Sequence, residues 1–193
     1  MELIKACHKE YEIVEELSDD VLKCKRKDKF YIIRKFIPGS EEGRGLCYEI
    51  KRVTNVGVKT PKLYGIDKRH GYTVSEFIEG EKLIDILSRE DIKEEIIQQL
   101  FLNAYMAKVS KMTLNYEPDK WILREGKIYY TYPFYIKFND EKDFAKKYLP
   151  LYFNTRELAA FMENKGVFYD KKRIKPNCDV NKQMLLLTCK YYR

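Results

Sequence analysis

An α+β fold is what the order of patterns along the chain predicts. The first third alternates short runs rich in β-branched and aromatic residues with turn residues, as in Tyr11–Leu17, Ser18-Asp19-Asp20 and Val21–Lys25. From Glu90 to Lys111, Ile97, Leu100, Phe101, Ala104 and Lys108 recur at helical spacing. A length of 193 residues with 45% hydrophobic content suits one domain or two tightly joined lobes.

Composition excludes several classes. No run of about 18 apolar residues exists, so no membrane span is expected. Met1-Glu2-Leu3-Ile4-Lys5 lacks the apolar run of a signal peptide. The five cysteines, Cys7, Cys24, Cys47, Cys178 and Cys189, form no Cys-x-x-Cys, which points to reduced thiols and a cytoplasmic location. With His8 and His70 the only histidines, no metal site is expected. Abundant Lys, Glu, Ile and Tyr is the bias expected of a thermophile. The formal net charge is +7, and Lys165–Arg193 alone carries eight Lys or Arg against two Asp.

In order, Tyr11–Leu17 and Val21–Lys25 read as strands joined by Ser18-Asp19-Asp20. Phe30–Ile37 is a third, ended by Pro38-Gly39. Ser40–Asn55 reads as a helix with Leu46, Ile50 and Val53 on one side. Gly57-Val58-Lys59-Thr60-Pro61 leads to a strand over Lys62–Ile66, and Gly71 closes a hairpin onto Tyr72–Phe77. Lys82–Leu87 is a short helix and Glu90–Lys111 a long one. Thr113-Leu114-Asn115-Tyr116-Glu117-Pro118-Asp119-Lys120-Trp121-Ile122-Leu123 precedes a hairpin from Arg124 to Tyr132. Asp140–Lys147 reads as a helix. Asn154-Thr155-Arg156-Glu157 has capping-box spacing, with Phe153 and Leu158 as the staple, for a helix to Lys165 stopped by Gly166.

The stretch Tyr72-Thr73-Val74-Ser75-Glu76-Phe77-Ile78-Glu79-Gly80, with the segment Thr113–Leu123 and its hairpin, resembles the small atypical kinases. These are the KEOPS-complex kinase, the RIO kinases, and the aminoglycoside and lipopolysaccharide-sugar phosphotransferases. The resemblance covers roughly Tyr11–Phe134. It implies a two-lobed protein-kinase-like fold, with a small antiparallel-sheet lobe over 1–79 and a reduced, mainly helical lobe over 80–193.

It also implies roles that the residues do not fill. Ile32-Ile33-Arg34-Lys35-Phe36-Ile37-Pro38 is similar to the strand that carries the phosphate-pairing lysine, and either Arg34 or Lys35 would occupy that position. The partner glutamate falls on Leu46, with Glu42 and Glu49 as substitutes on the same helix face. The Glu76–Phe77–Ile78 backbone would meet the adenine edge, which needs no particular side chain. Asn115 stands at the catalytic aspartate, Lys120 at the metal-binding asparagine and Tyr132-Pro133-Phe134 at the Asp-Phe-Gly. An amide cannot act as a base, and an ammonium repels Mg2+. The first turn holds two aspartates and no glycine, which disfavours a triphosphate. Glu117 and Asp119 would serve a rearranged metal site only if both pointed one way, which adjacent residues of a proline-containing loop rarely do.

The residues therefore predict a pseudokinase that binds a partner or ligand without phosphoryl transfer. Its ligand groups would be Arg34 or Lys35, Glu49, Glu76, Phe77 and Ile78, with Asn115, Lys120 and Tyr132 as degenerate catalytic positions. No cofactor follows directly; ATP remains compatible and Mg2+ is disfavoured. The first alternative is an active phosphotransferase. The second is a nucleic-acid-binding module using Lys171, Lys172, Arg173 and Lys175, with Tyr191 and Tyr192 for stacking, and the same basic segment would suit an acidic protein partner.

Overall fold

Two-residue turns start the fold. β1 (Leu3–Ala6) and β2 (Lys9–Ser18) are joined by Cys7 and His8, at φ 51° and 61°. Positive φ at both central residues matches the right-handed twist of the flanking strands. β3 (Val21–Arg26) and β4 (Lys29–Lys35) follow as a meander. The sequence expectation missed β1, whose four residues carry no clean alternation. The computed structural model describes residues 2–132 and 134–192. The side chains of Glu42, Arg44, Cys47 and Ile136 lie outside the described set, so the substitute glutamate at Glu42 does too.

The fold is α+β, and the chain divides into two compact units. The first comprises Met1–Arg52 and Thr60–Glu79, the second Val53–Lys59 and Gly80–Arg193. Most of α1 (Glu41–Asn55) belongs to the first, its last three residues to the second, and β5 (Leu63–Asp67) and β6 (Tyr72–Glu76) follow in the first. The sheet order is β1-β2-β3-β4-β6-β5. Leu22, Ile33 and Val74 face one another in register and are buried with Ala6, Tyr11 and Cys24. The sheet curls until its two edges meet: the Cys7 N–H donates to the Asp67 carboxylate at 3.0 Å. Gly65 lies beneath the Cys7 sulfur, where an added Cβ would stand 2.8 Å from Sγ.

Gly71 closes the turn between β5 and β6 at φ 73°, and its C=O accepts from the Phe36 N–H at 2.8 Å. A Cβ there would collide with the Phe36 carbonyl oxygen, which is backbone and cannot rotate away. Gly71→Ala is expected to cost about 2 kcal/mol from left-handed strain and overpacking together, read as a lower urea midpoint by circular dichroism.

In the second unit, β7 (Glu81–Lys82), α2 (Leu83–Arg89) and α3 (Glu94–Val109) lead to β8 (Met112–Leu114). The hairpin of β9 (Trp121–Arg124) and β10 (Lys127–Tyr130) pairs with β7, and β8 pairs with β11 (Tyr135–Lys137). α3 starts four residues later than the pattern suggested, because the Glu90 N–H donates to the Ile86 C=O and closes α2. The helix expected over Asp140–Lys147 is instead a 3-10 turn, Asp140–Lys142, and a π turn, Phe144–Tyr148. The side chains of Asn139 and Asp143 accept from the Glu141 and Ala145 N–H groups, so each starts a new turn.

α4 (Arg156–Asn164) is capped by Thr155, which accepts from the Leu158 N–H at 3.0 Å, one residue beyond the predicted cap at Asn154. The segment Met184–Leu187 lies inside α5 (Asn177–Tyr191). The second core is aromatic: Phe144 packs against Phe101, Tyr116 and Tyr152 at centroid distances of 5.0, 5.3 and 5.8 Å. Val53 and Val58 pack in this core, and the Tyr130 N–H donates to the Lys59 C=O at 2.8 Å. No helix among the described residues is long and apolar enough to cross a membrane. Cys7, Cys24, Cys178 and Cys189 are free thiols.

Candidate functional site

Asn115 leaves β8 into a loop fixed on several sides. Its side-chain oxygen accepts from the Glu117 N–H at 3.0 Å, an Asx turn. Pro118 then opens a 3-10 turn, Pro118–Lys120. The Trp121 indole N–H donates to the Asn115 C=O at 3.1 Å. The Tyr130 hydroxyl accepts from the Asn115 N–H at 3.1 Å and donates to the Phe134 C=O at 2.7 Å. The Thr131 hydroxyl and N–H both donate to the Lys120 C=O. The loop is therefore a rigid element rather than a mobile tip.

Its charged groups form one cluster. The Lys120 ammonium donates to Asp119 Oδ2 at 2.8 Å and lies 5.5 Å from the Tyr132 ring centroid. Lys165, at the C-terminal end of α4, donates to the same oxygen at 3.0 Å and stands 3.5 Å from Glu117. Glu117 and Asp119 thus do point one way, contrary to the sequence expectation. The 3-10 turn sets the two carboxylates two residues apart on one side, and Lys165 gathers both. Burial pushes the Asp119 carboxyl up, but the bonds from Lys120 and Lys165 outweigh it and hold the group below its ordinary range. Burial lowers Lys165, while its bonds to Asp119 and Glu117 raise it above the usual lysine range. Asp119 Oδ1 is buried without a hydrogen-bond partner among the described residues.

Asn115 and Tyr132 line one cavity of about 190 Å³, with Phe134, Tyr135, Tyr148 and Lys142 among its other walls. Lys120 does not line it. Among the described residues no group of three or more His, Cys, Asp or Glu side chains is placed to hold a metal ion.

The ligand groups expected in the first unit are distributed as follows. Register places Lys35 on the face of β4 that carries Ile33, and Arg34 on the other, opposite Val21 and Thr73. Leu46 is fully buried and Glu49 half-buried. The Glu76 carboxylate accepts from the Lys62 N–H at 3.2 Å. Ile78 is buried, and the Lys23 ammonium lies 4.4 Å from the Phe77 ring centroid.

The C-terminal cations are largely committed within the second unit. Asp91 accepts from Arg173 at 3.3 Å and Lys175 at 2.8 Å, and Arg173 also donates to the Leu87 C=O. Lys171 stands 3.6 Å from Glu163, and Lys190 donates to Glu94 at 2.7 Å. Lys172 makes no ion pair among the described residues; its backbone N–H donates to Asp170. Sequence reasoning missed Lys165, Tyr130 and Lys142. Lys165 is 45 residues from Lys120 and looked like one more surface lysine, and Tyr130 is one of 16 tyrosines. No protein-family model matches the chain, and no curated protein matches it.

Proposed function

We propose that the chain is a catalytically impaired, kinase-like protein that acts as a binding or regulatory scaffold. Four antiparallel strands, a helix and two further strands, followed by a mainly helical unit, support a kinase-like arrangement. The observation that carries the loss of catalysis is the state of the loop. At the position of the base, Asn115 offers a neutral amide whose oxygen already closes a turn. At the metal ligand stands Lys120, whose ammonium is bound to Asp119. The amide cannot take a hydroxyl proton, and the ammonium cannot hold Mg2+.

The convergence of Glu117 and Asp119 supports one rival, an active phosphotransferase with a rearranged metal site. Against it, Lys120 and Lys165 together already balance the charge of the two carboxylates. Turnover of labelled ATP, with Mg2+ or Mn2+ and generic protein and small-molecule acceptors, separates the two. The scaffold reading expects product no higher than in the protein-free control. Metal-dependent turnover abolished by Asp119→Ala would establish the rival. The other reading, RNA binding through Lys171, Lys172, Arg173 and Lys175, is weakened by the engagement of Arg173 and Lys175 with Asp91.

A further inference from the structure

One hairpin of the first unit carries a dense run of cations without carboxylate partners, whereas most cations of the C-terminal segment are paired. Lys23-Cys24-Lys25-Arg26-Lys27-Asp28-Lys29-Phe30 holds five cations and one carboxylate in eight residues. It forms the end of the β3–β4 hairpin, with Lys25 opposite Phe30 and Arg26 opposite Lys29. Lys25, Arg26, Lys27 and Lys29 make no ion pair among the described residues, whereas in the C-terminal segment Lys165, Lys171, Arg173, Lys175 and Lys190 do and only Lys172 and Lys182 of its described cations do not. Phe30 is 42% exposed on the same face as Lys25. Its ring meets Phe77 edge-on at 6.1 Å, and Lys23 lies over both.

We infer that this hairpin is a contact surface for single-stranded nucleic acid. Lysines without a direct ion-pair partner at a hairpin tip attract a phosphate backbone, and binding releases its counterions. An exposed aromatic ring beside them offers a stacking platform to any unpaired base. A duplex keeps its bases stacked inside and cannot use Phe30, so the ring favours a single strand over a duplex or a bare anionic surface. Glu12 and Glu15 lie across the ladder from Lys25 and Lys23 and form an acidic border along β2. The strand would therefore run over the β3–β4 tip and away from β2. This inference does not rest on the kinase-like reading.

The test is fluorescence anisotropy of a labelled 12-residue oligouridine with the full chain, titrated across salt. Lys25→Gln/Lys27→Gln/Lys29→Gln is expected to weaken binding about tenfold or more at 0.1 M salt and to reduce the log–log salt slope by about 2. Phe30→Ala should weaken it about fivefold to a hundredfold, and Phe30→Trp should keep it. Lys171→Gln/Lys172→Gln should stay within twofold. Unchanged unfolding midpoints separate a lost contact from a lost fold. The inference is overturned by no binding at low salt, or by a hairpin variant that binds as tightly as the unaltered chain. It is equally overturned by equal affinity for a duplex, by loss confined to the Lys171/Lys172 variant, or by binding to phosphatidylserine vesicles but not to the oligonucleotide.

Discussion

Trp121→Ala is expected to destabilise the protein by about 4 kcal/mol, the largest single-residue effect in the second unit. The indole is fully buried, stacked on Tyr116 at 5.9 Å with planes 9° apart, and 4.8 Å from the Tyr130 ring centroid. Truncation leaves a cavity walled by rings that are themselves fixed. Tyr152 holds the Tyr116 C=O at 2.7 Å, and Tyr130 spans Asn115 and Phe134. The Asn115 C=O would also lose its indole donor. Trp121→Phe fills most of the cavity and loses that hydrogen bond, so it should cost about half as much. Urea unfolding by circular dichroism measures both. A loss below about 1 kcal/mol for the alanine variant would mean that the aromatic packing around the loop is wrong.

Asp119→Ala should cost about 3 kcal/mol, because it leaves two lysines clustered without the carboxylate that holds them. The Asp119 side chain is 17% exposed, and Lys120 and Lys165 are 25% and 34% exposed. Breaking a fully buried pair costs about 3–5 kcal/mol, and partial solvation of the lysines sets this one at the low end. The pH dependence has a definite sign. The folded-state pKa of Asp119 is depressed, so its contribution is complete above the unfolded value of about 3.9 and fades as pH falls through the folded value. Lys165 is shifted upward, so its contribution is complete below about 10.4 and fades as pH rises through the folded value. The stability gap between the unaltered chain and Asp119→Ala should therefore be flat near neutrality and narrow below about pH 4. A gap that widens on acidification would contradict the cluster.

Much of the fold was legible because local signals decide it. The β9–β10 turn is set by Glu125-Gly126 at φ 52° and 73°, and α4 stops where Gly166 takes φ 67°. Alternation along β4 separated Arg34 from Lys35, but only cross-strand register could say which of them shares a face with the core. What was not legible depends on contacts distant in sequence. Asn139 and Asp143 restart the backbone within a stretch whose composition reads as one helix. α5 was hidden because Leu185 and Leu186 are 63% and 62% exposed, which spoils its apolar stripe. The candidate site was half legible: Asn115, Lys120 and Tyr132 mark the loop, whereas Lys165 and Tyr130, which immobilise it, carry no local signal. Charge counted along the basic C-terminal segment could not show that Asp91 and Glu94, on another segment, pair with Arg173, Lys175 and Lys190.

Thermal unfolding with ATP, ADP and AMP, each with and without Mg2+, tests the central claim most directly. Ligand at 100 times its dissociation constant adds about 2.7 kcal/mol, a shift of roughly 5–10 °C for a chain of this size. The scaffold reading predicts that any shift is the same with and without the metal. A shift that requires both ATP and Mg2+ would contradict it, restore metal-dependent chemistry to the second unit, and return Glu117 and Asp119 to the centre of the site.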